Sequence, residues 1–223
     1  MTAGVLDLRG DPEARRRGLR RRFAVVGVLA AIGLLLAVMN ATSREWWWAN
    51  VSTLGIDPGS DIYFNLTMVG LGIVFPVVAI PIRRQLADAR DAGWMSPRWA
   101  AAYRAGIGAI PIAFVAIGLF HIGGKPLHHM IHNVAGFSIP LVVMAMMLTV
   151  HWAVPALGSR FSVRALVVDA IIVALFFLAA LQVISYSLME ILGFIICWAW
   201  LLPFSLHLED LPERAPAPAT AGA

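Results

Sequence analysis

Six long apolar stretches alternate along the chain with short polar segments. A helix needs about 20 consecutive apolar residues to cross the hydrocarbon core of a bilayer, where it satisfies all of its own backbone hydrogen bonds. The stretches cover approximately residues 23–41, 62–82, 101–122, 130–153, 165–188 and 191–208. The pattern predicts an all-α, polytopic membrane protein built as a six-transmembrane-helix bundle, with Met189 and Glu190 as a tight turn between the last two spans.

The basic residues predict the orientation of these spans. With six crossings, both chain ends and two loops share one side, and fifteen of the seventeen Lys and Arg residues fall there. The opposite side holds only Arg44 and Lys125. Because cytoplasmic loops carry the excess of Lys and Arg in membrane proteins, we expect both termini to be cytoplasmic.

The chain divides into three parts by composition. Residues 1–22 form a basic cytoplasmic segment, residues 23–208 the membrane domain, and residues 209–223 a Pro/Ala-rich cytoplasmic tail that we expect to be disordered. The basic run from Arg15 to Arg22 can attract anionic lipid headgroups. Its simpler role is to hold the first helix in its orientation.

Composition supports the membrane assignment and excludes several kinds of site. Hydrophobic residues make up 60% of the chain and charged residues only 13%, against about 25% charged in soluble domains. The single Cys197 excludes an intrachain disulfide and a cysteine-based metal cluster. The net charge of +4 arises from residues beside apolar stretches, so we expect the lipid bilayer, not nucleic acid, as the partner. Lys125 is the only lysine, and a strong preference for arginine is typical of GC-rich bacterial genomes. We therefore expect a protein of a bacterial plasma (inner) membrane.

A row of small residues predicts how the third and fourth spans pack, because small side chains allow helices in lipid to approach closely. The third span has alanine at every fourth position, and the same spacing continues through Ile117 to His121. His121 is therefore expected to point into the bundle. His128 and His132 are also four residues apart, so three histidines would gather at one outer corner.

Three histidines at one corner indicate a candidate zinc site. His121, His128 and His132 could supply three ligands and leave a fourth position open, as in catalytic zinc sites. With Glu190 or Asp61 as the base, such a site would make the protein a metal-dependent hydrolase that acts on membrane lipids. The alternative is that these histidines bind only backbone groups and water at the headgroup level, and then no cofactor is required.

The polar side chains at the predicted outer edge also suggest a non-enzymatic role. Ionisable groups in or beside membrane spans are costly and commonly mark functional sites. The leading interpretation is an outer pocket that engages a lipid headgroup or a partner membrane protein. Its candidate lining residues are Ser52, Asn65, His121, His128, His132, Asn133 and Glu190.

Short motifs in the first outer loop and the fourth span resemble a known family. They are Val-Ser-Thr-Leu-Gly at 51–55, Tyr-Phe-Asn at 63–65, and His-Asn at 132–133 followed by Ala135 and Gly136. These motifs are similar to the DRAM/Sfk-like six-helix membrane proteins, and in particular to their prokaryotic relatives of unknown function (DUF 998). The resemblance implies a six-helix bundle with the first outer loop folded over its mouth. It implies no reaction, substrate or cofactor, and its eukaryotic members are linked to lipid organisation and membrane trafficking.

Overall fold

The computed structural model describes residues 12–214 and contains only helices, turns and loops over that range. Seven α-helices follow one another along the chain. They are α1 (Pro12–Asn40), α2 (Asp61–Val74), α3 (Pro76–Asp91), α4 (Pro97–Leu119), α5 (Pro126–Ala153), α6 (Ser159–Ala180) and α7 (Tyr186–Arg214). Three short 3₁₀ turns lie at Glu45–Trp47, Val51–Gly55 and Pro155–Leu157.

These helices form six spans that are long and apolar enough to cross a membrane, which confirms the predicted number. Helices α2 and α3 together make one span, Asp61–Asp91, and they are separated at Phe75. The break lies there because Pro76 has no N–H to continue the ladder of helical hydrogen bonds. Prolines at other positions, such as Pro111 and Pro140, remain inside their helices.

Because consecutive spans run in opposite directions, the loops collect at two faces. The basic face is formed by the start of α1, the end of α7, and the loops at 92–96 and 154–158. The cap face is formed by the long loop 41–60 and the short loops 120–125 and 181–185. The distribution of these loops agrees with the division of basic residues expected from the sequence.

The boundary between the last two spans differs from the prediction. We expected a turn at Met189 and Glu190, but α6 ends at Ala180 and α7 begins at Tyr186. The chain reverses around Gln182, whose φ of 58° lies in the left-handed region, and the Ser185 hydroxyl accepts a 3.1 Å hydrogen bond from the N–H of Leu188. The prediction was wrong because hydropathy alone does not show where the backbone turns within an apolar stretch. The start of α7 is instead marked by Ser185, which caps the helix.

Helix α7 also extends beyond the predicted end of the membrane domain. It runs to Arg214, so residues 209–214, which we expected to belong to a disordered tail, are helical. The remainder of the predicted tail, residues 215–223, and the first eleven residues of the predicted basic segment lie outside the described part of the chain.

Glycines, not the predicted alanines, allow the closest helix approach. A Cβ atom on Gly72 would lie 2.6 Å from the carbonyl oxygen of Pro111, and one on Gly118 would lie 2.6 Å from that of Asn65. Helices α2 and α4 therefore pack closely at two points, at Gly72 near the middle of the span and at Gly118 near the cap face.

The alanine stripe on α4 was predicted wrongly. Ala113 is buried, but Ala101, Ala105 and Ala109 are exposed, and so is His121. A spacing of four residues advances 400° around a helix, so the row drifts by about 40° at each step and leaves the packed face.

Ion pairs join the two ends of the described chain at the basic face. Arg15 pairs with Glu209, and Arg16 Nη2 lies 2.6 Å from Asp210 Oδ1. Gln85 of α3 donates a 2.9 Å hydrogen bond to Glu209. The ends of α1, α3 and α7 are therefore held together by charged and polar side chains, while their apolar parts pack in the bundle.

Candidate functional site at the cap face

Asp57 organises the loop between α1 and α2. Its carboxylate accepts hydrogen bonds from the backbone N–H of Thr42 (2.9 Å), Ser43 (3.0 Å) and Gly59 (3.0 Å), and from the Thr42 hydroxyl (2.9 Å). The Asp-Pro-Gly sequence at 57–59 is a turn signal, and the turn closes with the N–H of Ser60 bonded to the Asp57 carbonyl (3.0 Å). One side chain therefore fixes both ends of the loop, which we call the outer cap (residues 41–60).

These contacts change the acidity of Asp57. Partial burial raises the pKa of its carboxyl, but the hydrogen bonds from Thr42, Gly59 and Ser43 together outweigh burial and lower the pKa from 3.8 to about 2. The carboxylate form is thus strongly favoured in the folded protein.

Two polar side chains of α7 hold the outer cap down. Glu190 Oε2 accepts a 2.6 Å hydrogen bond from the backbone N–H of Val51. Ser187, which is fully buried, donates its hydroxyl to the carbonyl of Trp46. The cap is attached to the last helix of the bundle through its own backbone groups.

Helix α2 also binds the cap. Asn65 Nδ2 of this helix donates a 3.0 Å hydrogen bond to the carbonyl of Gly55. Within the cap, the Ser60 hydroxyl donates a 2.8 Å hydrogen bond to the carbonyl of Leu54. Gly55 is required at this contact, because a Cβ atom there would lie 2.9 Å from both Asn65 Oδ1 and Phe64 Cδ1. The Asn65 Oδ1 atom is buried and has no hydrogen-bond partner within residues 12–214.

His132 is buried where α5 packs on the end of α4. Its side chain is only 3% exposed, and Nδ1 lies 2.8 Å from the carbonyl oxygen of Phe120 and 3.2 Å from that of Ile117. A carbonyl oxygen only accepts hydrogen bonds, so Nδ1 carries the proton, and Nε2 of the neutral ring is an acceptor. Over the described residues, Nε2 is buried and has no partner.

The other histidines of this region surround the turn between α4 and α5. The His121 and His128 rings meet edge to face with centroids 6.2 Å apart, and His128 also contacts Phe120 at 5.4 Å. His129 Nδ1 lies 2.9 Å from the carbonyl oxygen of Ile122. His132 is thus buried and His128 half-buried, whereas His121 and His129 are exposed.

The predicted pocket residues fall into two neighbouring groups. Asn65 and Glu190 bind the outer cap, which contains Ser52, whereas the histidines and Asn133 belong to the α4–α5 region. A side chain at Gly123 would lie 3.1 Å from Ile56, so the two groups adjoin at that point. No hydrogen bond joins them within the described chain. Ser187 was not among the candidate pocket residues, because the sequence suggests for it only a hydrogen bond to a neighbouring helix; in the structure it binds the outer cap instead.

The candidate zinc ligands are close but do not form a ligand set. In residues 12–214, no three His, Cys, Asp or Glu side chains are arranged to hold a metal ion. Ligands of one zinc ion must place their donor atoms about 2.0–2.1 Å from it, and His132 is instead oriented by two carbonyl groups. The zinc site remains a prediction.

Comparison with known proteins adds no assignment. No family model, curated protein or solved structure matches this chain.

Proposed function

We propose that this chain is a multi-pass protein of the bacterial inner membrane whose cap face binds the polar headgroup of a lipid. Six apolar spans support the membrane location, and the concentration of arginine at the basic face favours a cytoplasmic position for both termini. The cap face then lies at the outer edge of the bilayer. Trp48, which is 69% exposed in the outer cap, is typical of residues at the headgroup level.

The observation that carries the proposal is the unpartnered Nε2 atom of His132. A buried polar atom without a hydrogen bond costs about 1–3 kcal/mol, so such atoms in native proteins commonly meet a group outside the chain. His121 is exposed and His128 half-buried, and their rings meet edge to face at the same α4–α5 turn whose carbonyl groups orient His132. This arrangement suits a polar group that enters from the headgroup layer.

The unpartnered atoms also indicate the chemistry of the headgroup. His132 Nε2 accepts hydrogen bonds, and Asn65 Oδ1 does as well because its amide nitrogen already donates to Gly55. Acceptors are complemented by donors, so the ligand should carry an ammonium or hydroxyl group. Phosphatidylethanolamine has N–H donors, whereas phosphatidylcholine, with three N-methyl groups, has none. We therefore expect the protein to prefer the former.

A partner membrane protein and a zinc-dependent lipid hydrolase are the other candidate roles. A partner would use the same face but would be detected as a co-purifying protein rather than as bound lipid. The hydrolase requires about one equivalent of zinc in the purified protein, and loss of that zinc in His121→Ala would support it. No specific contact in the structure supports either of these roles, so we favour the binding of a lipid headgroup.

The test compares lipid retention by three forms of the full chain. Wild type, His132→Leu and His151→Leu are purified in detergent, and binding of phosphatidylethanolamine and phosphatidylcholine with matched acyl chains is measured by native mass spectrometry. His151 is the control because it lies on the same helix at the basic face and is exposed. We expect wild type and His151→Leu to prefer phosphatidylethanolamine about fivefold, and His132→Leu to lose the preference. Equal binding of both lipids by wild type refutes the proposal.

The orientation has its own test. Single cysteines introduced as Arg90→Cys and Lys125→Cys should be labelled from opposite sides of the membrane by an impermeant reagent. Native Cys197 is buried and serves as the silent background. Labelling of both positions from one side would contradict the six-span topology.

A further inference from the structure

A cleft at the basic face lies between the start of α1 and the end of α7. Its volume is about 200 Å³, enough for a phosphate group and part of its substituents. The lining side chains are Arg16, Arg20, Pro203, Leu206, His207 and Asp210. It lies at the opposite face from the outer cap and shares no residue with the cap site.

The charges in the cleft are not balanced. Asp210 is the only acidic residue among the described lining residues, and its Oδ1 atom forms an ion pair with Arg16 Nη2 at 2.6 Å. The neighbouring acidic residue, Glu209, is paired with Arg15. Arg20 forms no ion pair within residues 12–214, and its side chain is exposed at the cleft. The described lining residues therefore carry an excess of positive charge, and it favours an anion.

His207 adds a fixed polar group to the same cleft. Its Nδ1 lies 2.7 Å from the carbonyl oxygen of Pro203, so Nδ1 donates, and the ring packs on Phe161 with centroids 4.8 Å apart. The ring is held from two sides, and Nε2 is the nitrogen left for a ligand. With Nδ1 as the donor, Nε2 of the neutral ring is an acceptor, which suits a hydroxyl group of the ligand.

The cleft is polar at one end and apolar at the other. Asp210 lies seven residues beyond Pro203 along α7, which is about 10 Å along the helix axis. The charged residues therefore lie toward the end of the bundle, and Pro203 and Leu206 lie toward its apolar middle. A phospholipid has the same order of groups, with a charged phosphate followed by glycerol and acyl chains.

We propose that this cleft binds the headgroup of an anionic phospholipid, with Arg20 as the ligand of the phosphate, His207 Nε2 as the acceptor for a headgroup hydroxyl, and Pro203 and Leu206 against the first acyl carbons. Free inorganic phosphate shares the charge but not the apolar part. The apolar end of the cleft favours the lipid.

The test uses two arginines that differ in position but not in charge. Arg20→Gln removes a cleft residue, whereas Arg21→Gln removes the next residue, which is exposed and does not line the cleft. Both variants weaken diffuse attraction to anionic lipid equally. Binding of phosphatidylglycerol to the full chain in detergent is measured by native mass spectrometry, with phosphatidylcholine of the same chains as reference.

We expect Arg20→Gln to bind phosphatidylglycerol about tenfold more weakly than Arg21→Gln, as for loss of a charge-assisted hydrogen bond. Wild type should bind phosphatidylglycerol more tightly than phosphatidylcholine. Equal affinities of the two variants overturn the site. Displacement of phosphatidylglycerol by inorganic phosphate at equal concentration assigns the cleft to a small anion and overturns the lipid. Because both arginines are exposed, neither substitution should affect folding, and equal thermal midpoints check this.

Discussion

The carboxylate of Glu190 accepts a 2.6 Å hydrogen bond from the backbone N–H of Val51, and so joins the last membrane helix to the loop that follows the first. Ser187, one helical turn earlier, reaches the same loop at the carbonyl of Trp46. With Asn65 on the other side, these side chains make the outer cap part of the bundle. The cap residues therefore act as structural contacts, and they give the cap face a preformed surface.

Removal of the Glu190 carboxylate should release the outer cap. Glu190→Ala leaves the Val51 N–H without a partner, which costs about 1–3 kcal/mol, so the cap should open about tenfold more often. Trypsin cleavage measures this, because Arg44 is exposed there and the other basic residue of this face, Lys125, precedes Pro126, a bond that trypsin does not cut. Glu190→Gln retains an acceptor oxygen and is the control. Equal cleavage of wild type and Glu190→Ala would show that the bond does not hold the cap.

A methyl group at the α2–α4 contact should destabilise the bundle. In Gly72→Ala the added Cβ would meet the Pro111 carbonyl oxygen at 2.6 Å and would also overlap Val115, so the helices must separate, at a cost of about 1–3 kcal/mol. Gly70→Ala is the matched control, since a Cβ there has no neighbour within 4 Å. Thermal unfolding in detergent should give a lower midpoint for Gly72→Ala only. Similar midpoints for the two variants would exclude close packing at Gly72.

Asp57 should make the stability of the outer cap depend on pH. Its pKa is about 2 in the folded protein and 3.8 as the reference value, so the folded state binds fewer protons than the unfolded state in this range. The stabilisation is complete above about pH 4 and is lost as the pH falls toward 2. Asp57 is only half-buried, and solvent screens its charge, so we expect about 1 kcal/mol at pH 7.

The comparison of wild type with Asp57→Ala tests this expectation. The difference in unfolding free energy should be present at pH 7 and disappear near pH 2. Glu45→Ala is the control in the same loop, because its side chain is exposed and makes no hydrogen bond within the described residues. A difference that persists at pH 2 would mean that Asp57 stabilises the loop by some means other than its charge.

The sequence was sufficient to predict the number of spans. A helix that crosses the hydrocarbon core needs a long apolar stretch, and such stretches can be recognised from the residue types alone. It was not sufficient for the reversal at Gln182, which depends on a backbone dihedral angle inside an apolar stretch. It also misplaced His121. The position of a side chain on a helix face depends on the 3.6-residue repeat, and a row of alanines with a spacing of four does not follow it.

The sequence could indicate a candidate site but not its contacts. The concentration of polar residues at one predicted edge directed attention to the cap face, where Asn65 and Glu190 bind the outer cap. The bond from His132 to the Phe120 carbonyl requires α4 to end at Leu119 and α5 to pack against that end. The two bonds from α7 to the outer cap join residues about 140 positions apart, with separations of 139 and 141. No local pattern in the sequence encodes pairings over such a distance.

The ion pairs between Arg15 and Glu209 and between Arg16 and Asp210 join residues separated by 194 positions. A ribosome releases α1 first and α7 last, so the arginines enter the bilayer surface long before their acidic partners are synthesised. During that interval the apolar surface of α1 must be covered by lipid or by the insertion machinery. These ion pairs between α1 and α7 can therefore form only after α7 has been synthesised, so the packing of α1 against α7 is a late step in biogenesis.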